Sequence, residues 1–192
     1  LQYVGSARTA ARFLTAYLGV SNGIYHMDAS EQMRRRPMAP LLDSLEALGC
    51  QIEYDSENTG HFPFTLQSRG FATDKIAVNI DSSSQFLSAL LIASCLSGQD
   101  FTTCVKGSHG MAYIHMTLQM MEQFGVKVRR KSPEVFLTKA GQHYQAREHR
   151  IEPDASAACY FYACCPLLNV PVLVENVHYH SLQGAVKFIE IL

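Results

Sequence analysis

The sequence predicts an α/β (α+β) protein assembled from repeats of helix–strand–helix–strand–strand, with a strand leading in and a third repeat cut short. Three observations carry this. Segments that open on small polar residues and run into an apolar helical stretch begin at Gly5, Asp81 and Asp154, 76 and then 73 residues apart, which is the mark of an internal repeat. A β-like stretch follows each of these helices. In the first two copies a second helix then stops at a glycine, Gly49 or Gly125, the residue best suited to the left-handed turn that ends a helix.

Taken in order, Gly5-Ser-Ala-Arg-Thr-Ala-Ala-Arg-Phe-Leu-Thr-Ala opens the first helix. A strand over 23–27, an amphipathic helix over 39–48 and a strand over 50–54 follow. Strands over 64–67 and 75–80 are read as closing that copy. The second begins Asp81-Ser-Ser-Ser-Gln-Phe-Leu-Ser-Ala-Leu-Leu and continues with a strand over 100–105. Apolar residues at Ile114, Met116, Leu118, Met121 and Phe124 set a helix over 112–124. Strands over 126–129, 135–138 and 147–151 complete it. The third copy starts at Asp154-Ala-Ser-Ala-Ala-Cys-Tyr-Phe-Tyr-Ala, has a β-like stretch over 170–174, and begins a second helix near Ser181. The sequence stops at Leu192 before the glycine and strands expected there, and it opens on Leu1 rather than Met. A chain truncated at both ends is therefore the expectation.

With 47% apolar residues, 192 residues suffice to bury a core. A net charge of −1 supplies no field for nucleic acid or a membrane surface. The longest apolar run, 86–96, is interrupted by Ser88 and Ser94 and is too short to span a bilayer. No signal peptide is expected from the opening Leu-Gln-Tyr-Val, and the six cysteines lie in apolar stretches without disulfide-framework spacing. Reduced, buried thiols in a cytoplasmic protein are expected.

Candidate chemistry gathers at helix starts, where orphan N–H groups and the helix dipole favour anions. Ser82-Ser83-Ser84-Gln85 serves equally as an N-cap or as an oxyanion site. The run Arg34-Arg35-Arg36 is either a solvated charge cluster or a phosphate or carboxylate site. Arg8 and Arg12 lie one helical turn apart, and Arg12, within an apolar stretch, needs an anionic or carbonyl partner. His178 and His180 alternate without a third metal ligand, and neither His109 nor His115 has a motif partner, so none is assigned a role. No metal site is predicted. A nucleophile elbow, a phosphate loop and a dinucleotide glycine fingerprint are all lacking.

These residues resemble a known family. The stretch from Gly5 to Arg12 resembles the Gly-Asn-Ala-Gly-Thr-x-x-Arg motif of EPSP synthase (3-phosphoshikimate 1-carboxyvinyltransferase). Gln32-Met-Arg-Arg-Arg-Pro-Met resembles its Arg-Met-x-Glu-Arg-Pro-Ile loop, and Ser83-Ser84-Gln85-Phe86 its Ser-Ser-Gln-Phe helix start. Tyr113-Ile114, Phe124-Gly125-Val126, Asp154-Ala-Ser and Ser181-Leu-Gln-Gly fall in the family's order. The likeness covers the whole chain and several independent motifs agree.

The resemblance implies an inside-out α/β barrel type of fold with two domains of three repeats each. Residues 1–151 would be two repeats of one domain, and 152–192 would begin a repeat of the other. It implies transfer of the enolpyruvyl group of phosphoenolpyruvate to the 5-hydroxyl of shikimate 3-phosphate, in the shikimate pathway, by a cytoplasmic and usually monomeric enzyme without a cofactor. By motif, Ser83, Ser84, Gln85, Gly110 and Tyr113 would hold shikimate 3-phosphate. Arg36, Gln85 and Arg8 would meet phosphoenolpyruvate, with Thr9 and Arg12 in support. Several positions depart from the motifs: Arg8 stands for a glycine, Ser6 for Asn, Arg35 for Glu, Gly110 for a phosphate-contacting Ser and Ala185 for Asp. The family's N-terminal Lys-Ser…Arg segment and its later proton-transfer residues have no counterpart, so this chain by itself is expected to show no turnover. Two alternatives stand beside this reading: the sister enzyme acting on UDP-N-acetylglucosamine, and a degenerate, non-catalytic anion-binding domain.

Overall fold

A computed structural model describes residues 1–55 and 57–192. The chain forms two compact units, Leu1–Gln145 and Ala146–Leu192.

The first unit holds two four-stranded mixed sheets of the same topology. One is built from β1 (Gln2–Tyr3), β2 (Asn22–Asp28), β3 (Gln51–Tyr54) and β4 (Phe64–Arg69) in the order β1-β2-β4-β3. The other contains β5 (Lys75–Asn79), β6 (Phe101–Lys106), β7 (Val128–Ser132) and β8 (Val135–Thr138) in the order β5-β6-β8-β7. In each, the first two strands pair in parallel across a helical crossover, Gln2 opposite Met27 and Lys75 opposite Thr102. An antiparallel hairpin then completes the sheet, with Phe64 opposite Met27 and Val135 opposite Cys104. The crossover helices are α1 (Arg8–Val20) and α4 (Gln85–Ser94). A second helix in each copy, α3 (Ala39–Ala47) or α5 (Met111–Gln123), leads to the hairpin, and a short α2 (Glu31–Arg34) precedes α3.

One expectation is corrected here. The stretch 75–80 does not close the first sheet; as β5 it pairs with β6 and leads into α4. A parallel pair needs a helical crossover, and α4 supplies it. The repeat is thus the expected helix–strand–helix–strand–strand with a strand leading in, and 75–80 is the lead-in strand of the second copy.

Burial follows from the residue pattern. Phe64, Leu66 and Ser68 of β4 alternate inward, as do Phe101, Thr103 and Val105 of β6. Eight of the ten residues of α4 are buried, so this helix is apolar nearly all round and runs through the centre of the unit. Along it lies α1, with Ala11, Thr15 and Ala16 buried. In the last turn of α1, the Gly19 carbonyl accepts from Ser68 Oγ at 2.6 Å and from Cys50 Sγ at 3.3 Å. Burial pushes the Cys50 thiol up from its ordinary pKa. All six cysteines are free, Cys50 and Cys95 buried but Cys165 exposed, so burial does not extend to every thiol. After both second helices the chain turns at a glycine with positive φ, Gly49 (99°) and Gly125 (91°).

In the second unit, α6 (Ala155–Leu168) is capped by Asp154, whose carboxylate accepts from Ser156 N at 2.8 Å and Ala157 N at 3.3 Å. A 3₁₀ segment, Gly184–Glu190, packs against it in place of the α-helix expected from 181. The strands expected over 147–151 and 170–174 do not form. In the first unit each central strand is held between a lead-in strand and a hairpin strand. Residues 146–192 contain no hairpin, and Pro171 removes a donor from the second stretch. No helix among the described residues is long and apolar enough to cross a membrane. Among those residues no group of three or more His, Cys, Asp or Glu has the arrangement of a metal site.

Candidate active site

The equivalent helices α1 and α4 present their N-terminal ends, and α5 one of its sides, to one cavity of about 810 Å³ in the first unit. Arg8, Thr9 and Arg12 reach it from α1, Arg36 and Pro37 from the turn before α3, and Ser82 to Gln85 from the start of α4. His109 and Tyr113 line it from the entry to α5. No Asp or Glu does.

Arg12 organises the polar wall. It is only 6% exposed, yet no carboxylate pairs with it. Its Nη1 donates to Ser83 Oγ at 3.0 Å and to Gln85 Oε1, and its Nη2 reaches the Pro37 carbonyl at 3.5 Å. The guanidinium lies over the Phe86 ring, 4.6 Å from its centre. Gln85 in turn donates from Nε2 to Thr9 Oγ1 at 2.8 Å. Three segments far apart in sequence are thus tied around one cation. Burial first, then the charges of Arg8 and Arg36, hold the Arg12 pKa below its ordinary value. Its buried Nε has no hydrogen-bond partner.

The serine run divides. Ser83 Oγ accepts from the Gln85 backbone N–H at 3.2 Å as well as from Arg12, so it holds the turn ahead of the helix and the cation together. Ser84, at the N-cap position, makes no side-chain cap, although it is buried. The arginine run divides too. Arg34 grips Asp28 through Nε at 2.9 Å and Nη2 at 2.8 Å, which holds the Asp28 carboxyl below its ordinary range. Arg35 pairs with Glu31 on the exposed side of α2. Neither lines the cavity, so Arg36 alone of the three faces it.

Gly110 caps α5 in the left-handed region, at φ 66°. A Cβ built there would stand 2.5 Å from Ser84 Oγ and 2.9 Å from Ser84 Cβ. The hydroxyl that the resembling motif carries at this position therefore has no room here. Gly110→Ala is expected to lower stability by about 1–2 kcal/mol, from backbone strain and this contact. Urea unfolding measures it, and a variant as stable as the parent would contradict the argument.

The cavity also has an apolar wall that the sequence reading did not anticipate. Phe13, Ile92, Met116, Met120, Met121 and Phe124 form it, with Tyr144, whose hydroxyl donates to the Ile92 carbonyl at 3.0 Å. Burial drives the Tyr144 hydroxyl well above its ordinary pKa. The helical spacing of Tyr113, Met116, Met120 and Phe124 places these residues along one side of α5; the apolar residues of this stretch are read from sequence only as setting a helix. His109, given no role from sequence, is the other addition. Tyr113 lies at the rim, 59% exposed.

The chain is 39% identical over 191 residues to the 3-phosphoshikimate 1-carboxyvinyltransferase of Trichormus variabilis, covering 99% of this chain and 45% of that protein. The protein of that name from Herminiimonas arsenicoxydans is 40% identical over 194 residues, with 99% and 44% covered. The chain thus spans less than half the length of these curated relatives. EPSP synthase from Acinetobacter baumannii superposes with a TM-score of 0.67 at 19% identity, over 82% of this chain and 34% of that one. The enolpyruvyl transferase NikO from Streptomyces tendae gives 0.57 at 14% identity, over 79% and 35%. At those identities the solved structures establish the fold alone. The family model described as EPSP synthase (3-phosphoshikimate 1-carboxyvinyltransferase) matches residues 1–192, and by that match over its whole length the chain belongs to the EPSP synthase family.

Proposed function

We propose that this chain supplies much of the substrate-binding surface for transfer of the enolpyruvyl group from phosphoenolpyruvate to the 5-hydroxyl of shikimate 3-phosphate. One observation carries the reading: a cavity free of carboxylates on which Ser83, Ser84, Gln85, Tyr113, Arg8 and Arg36 converge around the buried Arg12. Ser83 and Ser84 hold the phosphate of shikimate 3-phosphate, aided by Tyr113 and the Gly110 backbone. Arg36 and Arg8 hold phosphoenolpyruvate, and Gln85, anchored to both Arg12 and Thr9, stands between the two ligands. In this reading residues 1–151 are two repeats of one domain and 152–192 begin a repeat of the other.

The reaction is an addition followed by an elimination. The 5-hydroxyl oxygen gives up its proton and adds to the enol phosphate carbon while a proton goes to the methylene carbon, which becomes a methyl; loss of one methyl proton and of phosphate then restores the double bond as an enol ether. What these residues contribute is proximity and charge: they bring two polyanions together and offset the repulsion between them. With no Asp or Glu lining the cavity, the proton-transfer groups are not assigned to this wall.

Calorimetric titration of the chain with shikimate 3-phosphate tests the reading. Binding is expected, weakened about tenfold or more in Ser83→Ala, since a hydrogen bond to a charged group contributes about 1.5–3 kcal/mol. Binding of UDP-N-acetylglucosamine with no binding of shikimate 3-phosphate would overturn it in favour of the sister activity.

A further inference from the structure

We propose that His109 is a further substrate-binding residue: its imidazole donates to the phosphate of shikimate 3-phosphate from the side of the cavity where Gly110 can carry no side chain. This rests on reading the cavity as a shikimate 3-phosphate site, and it gives the phosphate a donor that no sequence motif supplies.

Three observations meet at the entry to α5. Ser84 is 5% exposed and lines the cavity, yet its hydroxyl caps no helix and makes no hydrogen bond among the described residues. Gly110 lies against that hydroxyl, since a Cβ on it would stand 2.5 Å from Ser84 Oγ. The Gly110 Cα is therefore within about 4 Å of this oxygen, and the His109 Cα, one trans peptide further, within about 8 Å. His109 is exposed and lines the cavity, and its ring makes no hydrogen bond or ion pair among the described residues.

A phosphate accepting from Ser84 also faces the first turn of α5, whose orphan N–H groups favour an anion. It still needs a side-chain donor on that side. Position 110 offers none, because a left-handed φ of 66° and the contact with Ser84 leave no space for a hydroxyl. Thr117 is already bonded to Ser88 and to the Tyr113 carbonyl, and Tyr113 sits at the rim. His109 is left as the polar side chain free to turn to the ligand, at a distance from Ser84 that one phosphate with a hydrogen bond at either end can bridge. Neutral or charged, an imidazole keeps at least one N–H, and its bond to a phosphate oxygen is of the stronger, charge-assisted kind.

The test is calorimetric titration of the full 192-residue chain with shikimate 3-phosphate and, separately, with inorganic phosphate. His109→Ala should weaken shikimate 3-phosphate about tenfold. His109→Gln, which keeps N–H donors at a similar reach, should recover part of the loss. The urea midpoint should stay at the parent value, because the ring holds nothing in the fold. Equal affinity in His109→Ala would overturn the proposal. So would a loss that His109→Gln does not recover, or one that comes with a lower urea midpoint. If the parent does not bind shikimate 3-phosphate, the proposed function fails by itself and inorganic phosphate decides the histidine. Phosphate binding that is lost in His109→Ala and partly regained in His109→Gln upholds its role as a phosphate donor, and a parent that binds neither ligand overturns both readings.

Discussion

Phe86→Ala is expected to cost the Leu1–Gln145 unit about 3–5 kcal/mol, the range for truncating a fully buried aromatic ring. Phe86 is wholly buried as the second residue of α4, and α4 packs against α1, α3, α5 and the strands of the second sheet. Such a central position leaves little room for the surroundings to collapse into the space vacated, which is the condition for a cost near the top of that range. The ring also carries the Arg12 guanidinium on its face, 4.6 Å away, a contact worth about 1 kcal/mol or more when desolvated. Removing it loosens the residue that ties Ser83 and Gln85 to α1. Two readouts should therefore move together, the urea midpoint and the affinity for shikimate 3-phosphate. Phe86→Leu, which refills most of the volume, should recover much of the stability but little of the platform. A loss below about 1 kcal/mol in Phe86→Ala would show that the helix is not central in the way its burial indicates.

Much of this architecture was legible in the sequence because it is written twice. The polar helix starts at Gly5 and Asp81 and the glycines at 49 and 125 mark the same turns of two copies, and each fixes local geometry by itself. Strand partnership is different. The stretch 75–80 shows its strand character in its own residues, but nothing local says that it pairs with β6 rather than β4. Residues 147–151 and 170–174 show the same limit from the other side. The valines of 170–174 favour extended backbone, whereas 147–151 has only Ile151 of that kind; without a ladder partner neither stretch forms a strand. At the site, the residues on helix starts were legible since spacing alone brings them to an N-terminus. The apolar wall and His109 depend on which way α5 turns its faces, which only packing decides. Arg12 fell between the two. Its need for a partner was readable from its apolar neighbours, but the partners, a hydroxyl, an amide oxygen and a carbonyl, come from segments about 70 and 25 residues away in the chain, and only folding assembles them.

Arg12→Met separates stability from function most sharply. The substitution keeps an unbranched apolar stem over Phe86 and deletes a buried cation that no carboxylate balances. Two costs disappear with it: the desolvation of the guanidinium, which is the first cause of its lowered pKa, and its repulsion from Arg8 and Arg36. Against this stand two hydrogen bonds to neutral oxygens and one long contact at 3.5 Å. Terms of this kind nearly cancel when a buried charge is exchanged for a hydrophobic residue of similar volume. Net stability should change by no more than about 1 kcal/mol in urea unfolding. Binding should not be spared. Ser83 and Gln85 lose the group that fixes their positions, and the cavity loses one of its three cations, so the affinity for shikimate 3-phosphate should fall about a hundredfold, near 2.7 kcal/mol. A destabilisation above about 3 kcal/mol would mean that the hydrogen bonds outweigh desolvation and that Arg12 is chiefly structural. Retained affinity at unchanged stability would mean that the serine loop holds its shape without the arginine. The predicted combination, a protein about as stable as its parent that no longer binds, is expected only if this buried cation is kept for the ligand rather than for the fold.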